Sequence, residues 1–469
     1  MILLLILPLI FSAIMGIFRN IFLSKLLTLI FSFYFIFYVI YSLFHTCQHF
    51  TPYFEMNALS CFFLFIEALL VLVVTLYQLA YFKGESNIGD RFNRYCIFYL
   101  LFIFSMSGFI LTTNFGFMWI FLEASTLSST FLVDYRSTKG STIAAWRYVF
   151  ICTIGVAFAF IGIIMLSKGS APFGGTLFVS DLIAHAQAIN PLYLKMAFAF
   201  IILGMGTKVG LAPMHAWLPS AHSEGPSPVS ALLSGTLLNV ALLGIIQAYR
   251  ILESAHLAAF CQDLFMIFGL LSLLFSASYM LNCTNYKKML AYSSIENMGI
   301  IAIGLSLGPI GYLAVIIHIV GHSLSKASLF LTSGVIEKMY HTKRIEGVKG
   351  LAVRSPLVAF VWILSFLSLI GLPPFPIFFS ELLLIYAMIQ SGHYILLCVF
   401  IILITLIIYG MGSSVFSMSF GKATHTKFIF KNSSLLLAGQ LGLLLIMVVI
   451  AFYIPSAIHT LISNAVSIL

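Results

Sequence analysis

Three titratable side chains, His318, His322 and Lys326 in the string HIVGHSLSKASLFL, are spaced by four residues. A helix stacks residues at that spacing along one face, here over about two turns. Imidazole and ammonium groups in such a row can hand a proton from one to the next. Two other readings stay open: a metal site, for which no third ligand stands nearby, and two histidines hydrogen-bonded in a packed core. Glu123 in FMWIFLEASTLSS and Lys208 in GMGTKVGLAPMHAWLP place a carboxylate and an amine inside apolar runs. Desolvation makes a buried lysine ready to load and release a proton, and as neighbours the two would titrate as a unit. The alternative is a static ion pair that only orients two helices. Glu381, in LIGLPPFPIFFSELLL, is a further proton carrier or a carboxylate capping a half-helix, and both roles can coexist. His215, His222 and Glu224, in MHAWLPSAHSEGPSPVSALLSG, either gate proton uptake or belong to a polar loop that caps a helix. Glu296 in YSSIENMGI and Glu67 in FFLFIEALL also fall within apolar runs; Glu67 has no obvious partner and reads as a local polar contact.

Such groups matter because of what surrounds them. Of 469 residues, 61% are hydrophobic and 8% charged, and mean hydropathy is +1.10. No water-soluble domain of this length sustains that composition without a very large exposed apolar surface, so lipid is the solvent for most of the chain. A charge at the centre of a bilayer costs on the order of 3 kcal/mol or more, so those that remain usually face a bundle interior and carry a function. The seven cysteines, Cys47, Cys61, Cys96, Cys152, Cys261, Cys283 and Cys398, form no CxxC and no cluster. Neither an iron–sulfur nor a zinc site is signalled in this chain, and any redox chemistry belongs to a partner.

A window of about 19 residues slid along the chain gives roughly fourteen helical spans. They centre near residues 10, 32, 69, 104, 124, 155, 206, 239, 273, 298, 323, 371, 406 and 446. The first apolar run has no basic residue before it, with Arg19 and Lys25 after it, and reads as a span rather than a cleaved leader. With this count most basic residues, among them Arg19, Lys25, Arg91, Arg136, Lys287, Lys338, Lys343, Lys422, Lys427 and Lys431, fall on one side. Only Lys168, Lys195 and Arg250 fall on the other. The bias places both termini outside, and it makes the net charge of +9 a topology signal rather than a nucleic-acid patch. The seventh span is interrupted around Pro213 and Pro219, the twelfth around Gly371, Pro373, Pro374 and Pro376. Proline cannot donate the helical hydrogen bond, so both should break at membrane depth. Paired breaks point to two inverted five-helix repeats with sites at the breaks. The expected organisation is all-α integral membrane: 1–94 with spans one to three, 95–251 and 262–418 as the repeats, and 419–469 with a last span.

The strings TKVGLAPMHAWLPSAHSEGPSPVSALLSGTLLN, YKKMLAYSSIENMGIIAIGLSLG and GHSLSKASLFLTSGVI resemble the antiporter-like proton-translocating subunits of the respiratory complex I superfamily. LEASTLSS, AAWRYVF, LLNVALL and GLPPFPIFFSELLL look closest to its hydrogenase-4 component F branch, which includes formate hydrogenlyase membrane subunits. The resemblance implies a non-catalytic proton-pumping subunit of a redox-driven complex, hydrogenase-like or NADH dehydrogenase-like, in a prokaryotic plasma membrane. It implies other membrane subunits and a peripheral redox module as partners, with iron–sulfur clusters and nickel–iron on those partners and no cofactor here. Related subunits imply the alternative of a sodium or potassium/proton antiporter or an ion-gradient-driven carbon-uptake complex. Glu123 and Lys208 match the family's coupling pair, His318, His322 and Lys326 its midplane relay, and Glu381 its terminal acid. Asn239 stands where such subunits usually place lysine or histidine, and an amide cannot take up a proton, so water would have to bridge the halves there.

Overall fold

The computed structural model describes residues 2–44, 48–83, 88–422 and 433–469; Cys47, Lys427 and Lys431 lie outside them. The chain opens with α1 (Ile2–Phe18) and α2 (Ile21–Leu43). A short hairpin follows, β1 (Gln48–Thr51) antiparallel to β2 (Phe54–Met56). Long helices then run back and forth: α3 (Ala58–Tyr81), α4 (Ile88–Leu111), α5 (Phe115–Val133) and α6 (Lys139–Gly169), with a short α7 (Val179–Ala184). Next come α8 (Pro191–Val209), α9 (Leu218–Glu224), α10 (Ser227–Leu232), α11 (Leu238–Ser254), α12 (Ala258–Met280), α13 (Tyr286–Ser306) and α14 (Pro309–Tyr340). The chain closes with α15 (Leu351–Arg354), α16 (Pro356–Leu369), α17 (Pro376–Gln390), α18 (Tyr394–Phe420), α19 (Ser433–Phe452) and α20 (Ser456–Ile468). Many starts are set locally. The side chains of Asn20, Asn57, Asn114, Thr138, Asn190 and Asn285 each accept a hydrogen bond from a first-turn N–H that the helix itself leaves unpaired.

By length and composition, ten described helices can cross a membrane, or eleven if the bent pair of α19 and α20 counts as one span. Three of the expected fourteen windows fall outside that tally for physical reasons. At 17 residues α1 is short, α13 is diluted by Lys287, Lys288, Glu296 and several serines, and the twelfth window is split into α16 and α17. The most apolar eighteen-residue window of Ser227–Ser254 is wholly buried, whereas only 28% of that of Ala258–Met280 is buried. The bundle therefore has α10 and α11 at its centre and α12 on a lipid-facing flank.

Both interruptions occur, with a shift in the first. Helix α8 ends at Val209 because Gly210 turns left-handed (φ 84°), and the chain makes a short 3₁₀ turn, Met214–Trp217, before α9 resumes. Pro213 lies in the break. Pro219 does not break anything: it sits in the first turn of α9, where a missing N–H costs nothing. The second break runs from Ile370 to Phe375 around Gly371 (φ 68°), with Pro373 and Pro374 inside it and Pro376 opening α17. One irregularity carries no proline: Leu233–Leu237, between α10 and α11, is a π-helical turn.

Ion pairs gather charged residues at one end of the bundle. Arg136 and Lys287 both pair with Glu337, and Lys343 pairs with Glu224, which draws the ends of α5, α9, α13 and α14 to one basic end. Arg250 lies at the opposite end, in a cavity of about 200 Å³ shared with Glu55, Asn57, Thr112 and Gln247.

Candidate proton pathway

The first cluster forms where α5, α6 and α8 meet. Lys208, fully buried at the last turn of α8, donates to the Tyr148 hydroxyl at 2.8 Å and lies 3.4 Å from Ser125 Oγ. Its ammonium also sits 4.9 Å from the centre of the Tyr148 ring, within cation–π range. Tyr148 in turn shares a 2.7 Å bond with Ser129 and packs on Trp217, whose Nε1 donates to the Thr207 carbonyl. Glu123 lies within electrostatic reach of Lys208, but its Oε1 accepts from Thr153 (3.1 Å), and its Oε2 is buried without a hydrogen-bond partner. The two therefore share a neighbourhood without touching, and the lysine's direct contact is a neutral hydroxyl.

The second cluster is the row on α14. His318 bridges two other helices: its Nδ1 meets Ser380 Oγ of α17 at 2.9 Å and its Nε2 meets Asn297 Oδ1 of α13 at 3.0 Å. Lys326 donates to the Leu290 carbonyl (2.8 Å) and to Ser293 Oγ, both on α13. Between them, His322 is fully buried with neither ring nitrogen hydrogen-bonded. An unpaired buried polar group is costly, and the usual remedy is an internal water. Glu296, buried on α13, is the electrostatic neighbour of Lys326 and lies within reach of Glu381. Glu381 is five residues into α17, beyond its first turn, and its carboxylate reaches back against Gly371 at the break, where a side chain on residue 371 would collide with it. It thus serves the break from a distance and not as a first-turn cap.

Asn239 lies beside the second cluster. Its amide donates to Ser323 Oγ (2.8 Å), beside His322, and to the Gly235 carbonyl of the π turn (2.9 Å), and its Oδ1 is buried and unpaired. Ser234 of the same turn bonds Ser294 of α13 at 2.8 Å. The loop residues divide: His222 is fully buried with both ring nitrogens unpaired and stacks on Phe330, and His215 has an unpaired Nδ1. Glu224 is half-exposed and tied to Lys343. Glu67 is buried, with Ser107 donating to its Oε1 at 3.1 Å and its Oε2 unpaired.

Four groups escaped the sequence reading. Tyr148 looks like one more aromatic of an apolar helix, and Asn297 and Ser380 look like ordinary small polar residues. Glu337 looks like a solvated charge near a helix end. Only the packing of distant segments gives them roles. Among the described residues no cluster of three or more His, Cys, Asp or Glu side chains could hold a metal ion, and the six described cysteines are unpaired with one another.

Residues 112–408 match the transmembrane family described as NADH:quinone oxidoreductase/Mrp antiporter. The hydrogenase-4 component F homolog of Methylacidiphilum infernorum is 33% identical over 75% of this chain and 76% of its own length. Hydrogenase-4 component B of Escherichia coli is 32% identical over 71% of this chain, which spans about half (51%) of that relative. Among solved structures, a subunit of the archaeal membrane-bound sulfane sulfur reductase superposes with a TM-score of 0.89 at 22% identity, covering 99% of this chain and 96% of that one. A subunit of the Mrp complex from Dietzia superposes with 0.85 at 19% identity, covering 99% and 96%. At those identities the likeness is one of fold. The chain is a multi-pass membrane protein, and it belongs to the NADH:quinone oxidoreductase/Mrp antiporter transmembrane family.

Proposed function

We propose that this chain is the proton-translocating membrane subunit of a redox-driven complex, built as fourteen crossings with two inverted five-helix repeats at 95–251 and 262–418. The observation that carries the reading is a set of polar groups inside the bundle: Lys208 with Tyr148, Asn239, His322 and Lys326 with Glu296, all buried, and the half-buried Glu381 at the second break. Each is embedded in apolar helices, and several keep unpaired buried atoms that water would satisfy. A change of charge near Glu123, driven by a partner's electron transfer, would alter the affinity of Lys208 for its proton and pass the disturbance to the row on α14. The asparagine then acts as a water-bridged link rather than a carrier.

The chain itself holds no redox centre in this scheme. Iron–sulfur clusters, and nickel–iron in a hydrogenase-like assembly, sit on a peripheral module, and other membrane subunits flank this one. Both termini face outward from a prokaryotic plasma membrane. The similarity to subunits named for hydrogenase-4, and the fold shared with subunits of respiratory complexes, support that assignment. Relatives named as Na(+)/H(+) antiporter subunits, 28% identical, favour a second reading, a cation/proton antiporter module without redox drive. Purification in mild detergent followed by mass spectrometry separates the two. Recovery of iron–sulfur subunits establishes the redox-driven pump, whereas recovery of small membrane subunits alone, with sodium-dependent acidification of vesicles lacking an electron donor, establishes the antiporter.

A further inference from the structure

Outside the row of proton carriers lies a cluster of charges that the scheme above does not use. Glu337, in the last turns of α14, pairs through Oε1 with Arg136 Nη1 and through Oε2 with Lys287 Nζ, each at 2.6 Å. Arg136 belongs to the loop after α5, in the first half of the chain, and Lys287 to the first turn of α13, in the second. Lys287 is fully buried, and its ammonium also reaches the carbonyl of Gly225 at 3.4 Å. Gly225 is the residue at which α9, the resumed half of the first broken helix, stops. Arg136 is steadied in turn by the Tyr81 hydroxyl at 3.3 Å.

We propose that Glu337 is a positioning residue: by gripping Arg136 and Lys287 it fixes the turn after α9, and with it holds His222 beside Lys326 for proton uptake. His222 stands two residues before Glu224, and no hydrogen bond holds its ring. The ring stacks on Phe330 (4.8 Å between centres, 20° between planes) and lies within electrostatic reach of both Lys326 and Lys287. Its place is therefore set by backbone: its carbonyl accepts from Ser230 Oγ (3.1 Å), and the following turn is closed by Gly225 N–H donating to Ala221 O (2.9 Å) and by Lys287 on the Gly225 carbonyl. A second tie exists, Lys343 to Glu224 at 3.0 Å, but both of its side chains are partly exposed, and exposed pairs contribute little. The buried tie dominates. Without the Glu337 carboxylate, Lys287 becomes an uncompensated buried charge with Arg136 as a like-charged neighbour, an arrangement that strongly destabilises the packing around it.

The positional part stands on geometry alone; the part about uptake rests on the translocation reading, and the test separates them. Hydrogen–deuterium exchange of the full chain, purified with its partners, is followed by mass spectrometry over peptides covering residues 220–228. Glu337→Gln should speed exchange there by about tenfold or more while α12 is unchanged, and Glu337→Asp should restore most of the protection. Glu337→Gln combined with Lys287→Gln should exchange no faster than the single variant, because the carboxylate acts through that lysine. Exchange within about twofold of the parent in Glu337→Gln overturns the proposal. In vesicles where the parent translocates protons, Glu337→Gln should lose about tenfold in rate and Glu337→Asp should recover it; a Glu337→Gln variant that opens the turn yet pumps normally overturns the link to uptake. Vesicles in which the parent itself moves no protons overturn the functional reading, and the exchange data still decide the clasp.

Discussion

Tyr148→Phe removes a single oxygen atom and tests whether the hydroxyl under Lys208 is part of the pathway. The ring stays, so the packing on Trp217 and the cation–π contact at 4.9 Å stay with it. What is lost is the 2.8 Å bond from the Lys208 ammonium. Ser125 Oγ, at 3.4 Å, is too far to replace it without movement. A hydrogen bond to a charged group contributes about 1.5–3 kcal/mol, and leaving a buried ammonium short of a partner forfeits most of that. At 1.36 kcal/mol per factor of ten, the translocation rate should fall by about ten- to a hundredfold. Ser129 loses the same hydroxyl but keeps backbone acceptors at Ser125 and Thr126, so its helix should hold. The assay is quenching of a pH-sensitive dye in inverted vesicles, with each rate divided by the amount of assembled protein. Parental rates in Tyr148→Phe, alongside a dead Lys208→Ala, would refute the reasoning, because the lysine would then work without the contact the structure gives it.

Lys326→Ala should abolish translocation while leaving the protein assembled, since Ser293 and the Leu290 carbonyl revert to ordinary helix contacts; a native-gel assembly check beside the dye assay decides it. Asn239→Leu removes donors to Gly235 and Ser323 and the site where water would bridge the clusters. Translocation should drop by about tenfold at roughly parental stability, and an unchanged rate would mean that protons bypass this residue. Gly371→Ala forces a side chain into left-handed backbone and against the Glu381 carboxylate, so the midpoint of thermal unfolding should fall, by an amount corresponding to about 1–2 kcal/mol or more. Glu67→Gln keeps the Ser107 contact and lies off the row, so its pumping should stay within about twofold of the parent.

How far the sequence reaches is clearest on α14. A spacing of four places His318, His322 and Lys326 on one face whatever packs against it, and the structure sets them there. What faces them could not be read, because the rotational phase of α13 and α17 is a matter of tertiary packing. Asn297, Ser293 and Ser380 become partners only once three segments meet. The same limit applies to Glu123 and Lys208: both are within the bundle, yet contact depends on side-chain direction across α6, and Tyr148 takes the place beside the lysine. The breaks were legible as proline-rich interruptions, but the first is made by Gly210, whose left-handed turn ends α8 before any proline is reached. The π turn at Leu233–Leu237 had only a weak signal, since Leu-Ser-Gly-Thr-Leu carries no proline and a single glycine inside an apolar helix is tolerated. Arg136 and Glu337, 201 residues apart, read as charges near helix ends, and their pairing is visible only in three dimensions.

The central claim is that protons move through this chain by way of its buried lysines. The most direct measurement is proton uptake into inverted vesicles, driven by the partner's electron donor, with the parent and Lys208→Ala at equal levels of assembled complex. Donor oxidation that continues while proton uptake is lost in Lys208→Ala is the expected result; parental proton uptake in that variant would contradict the account.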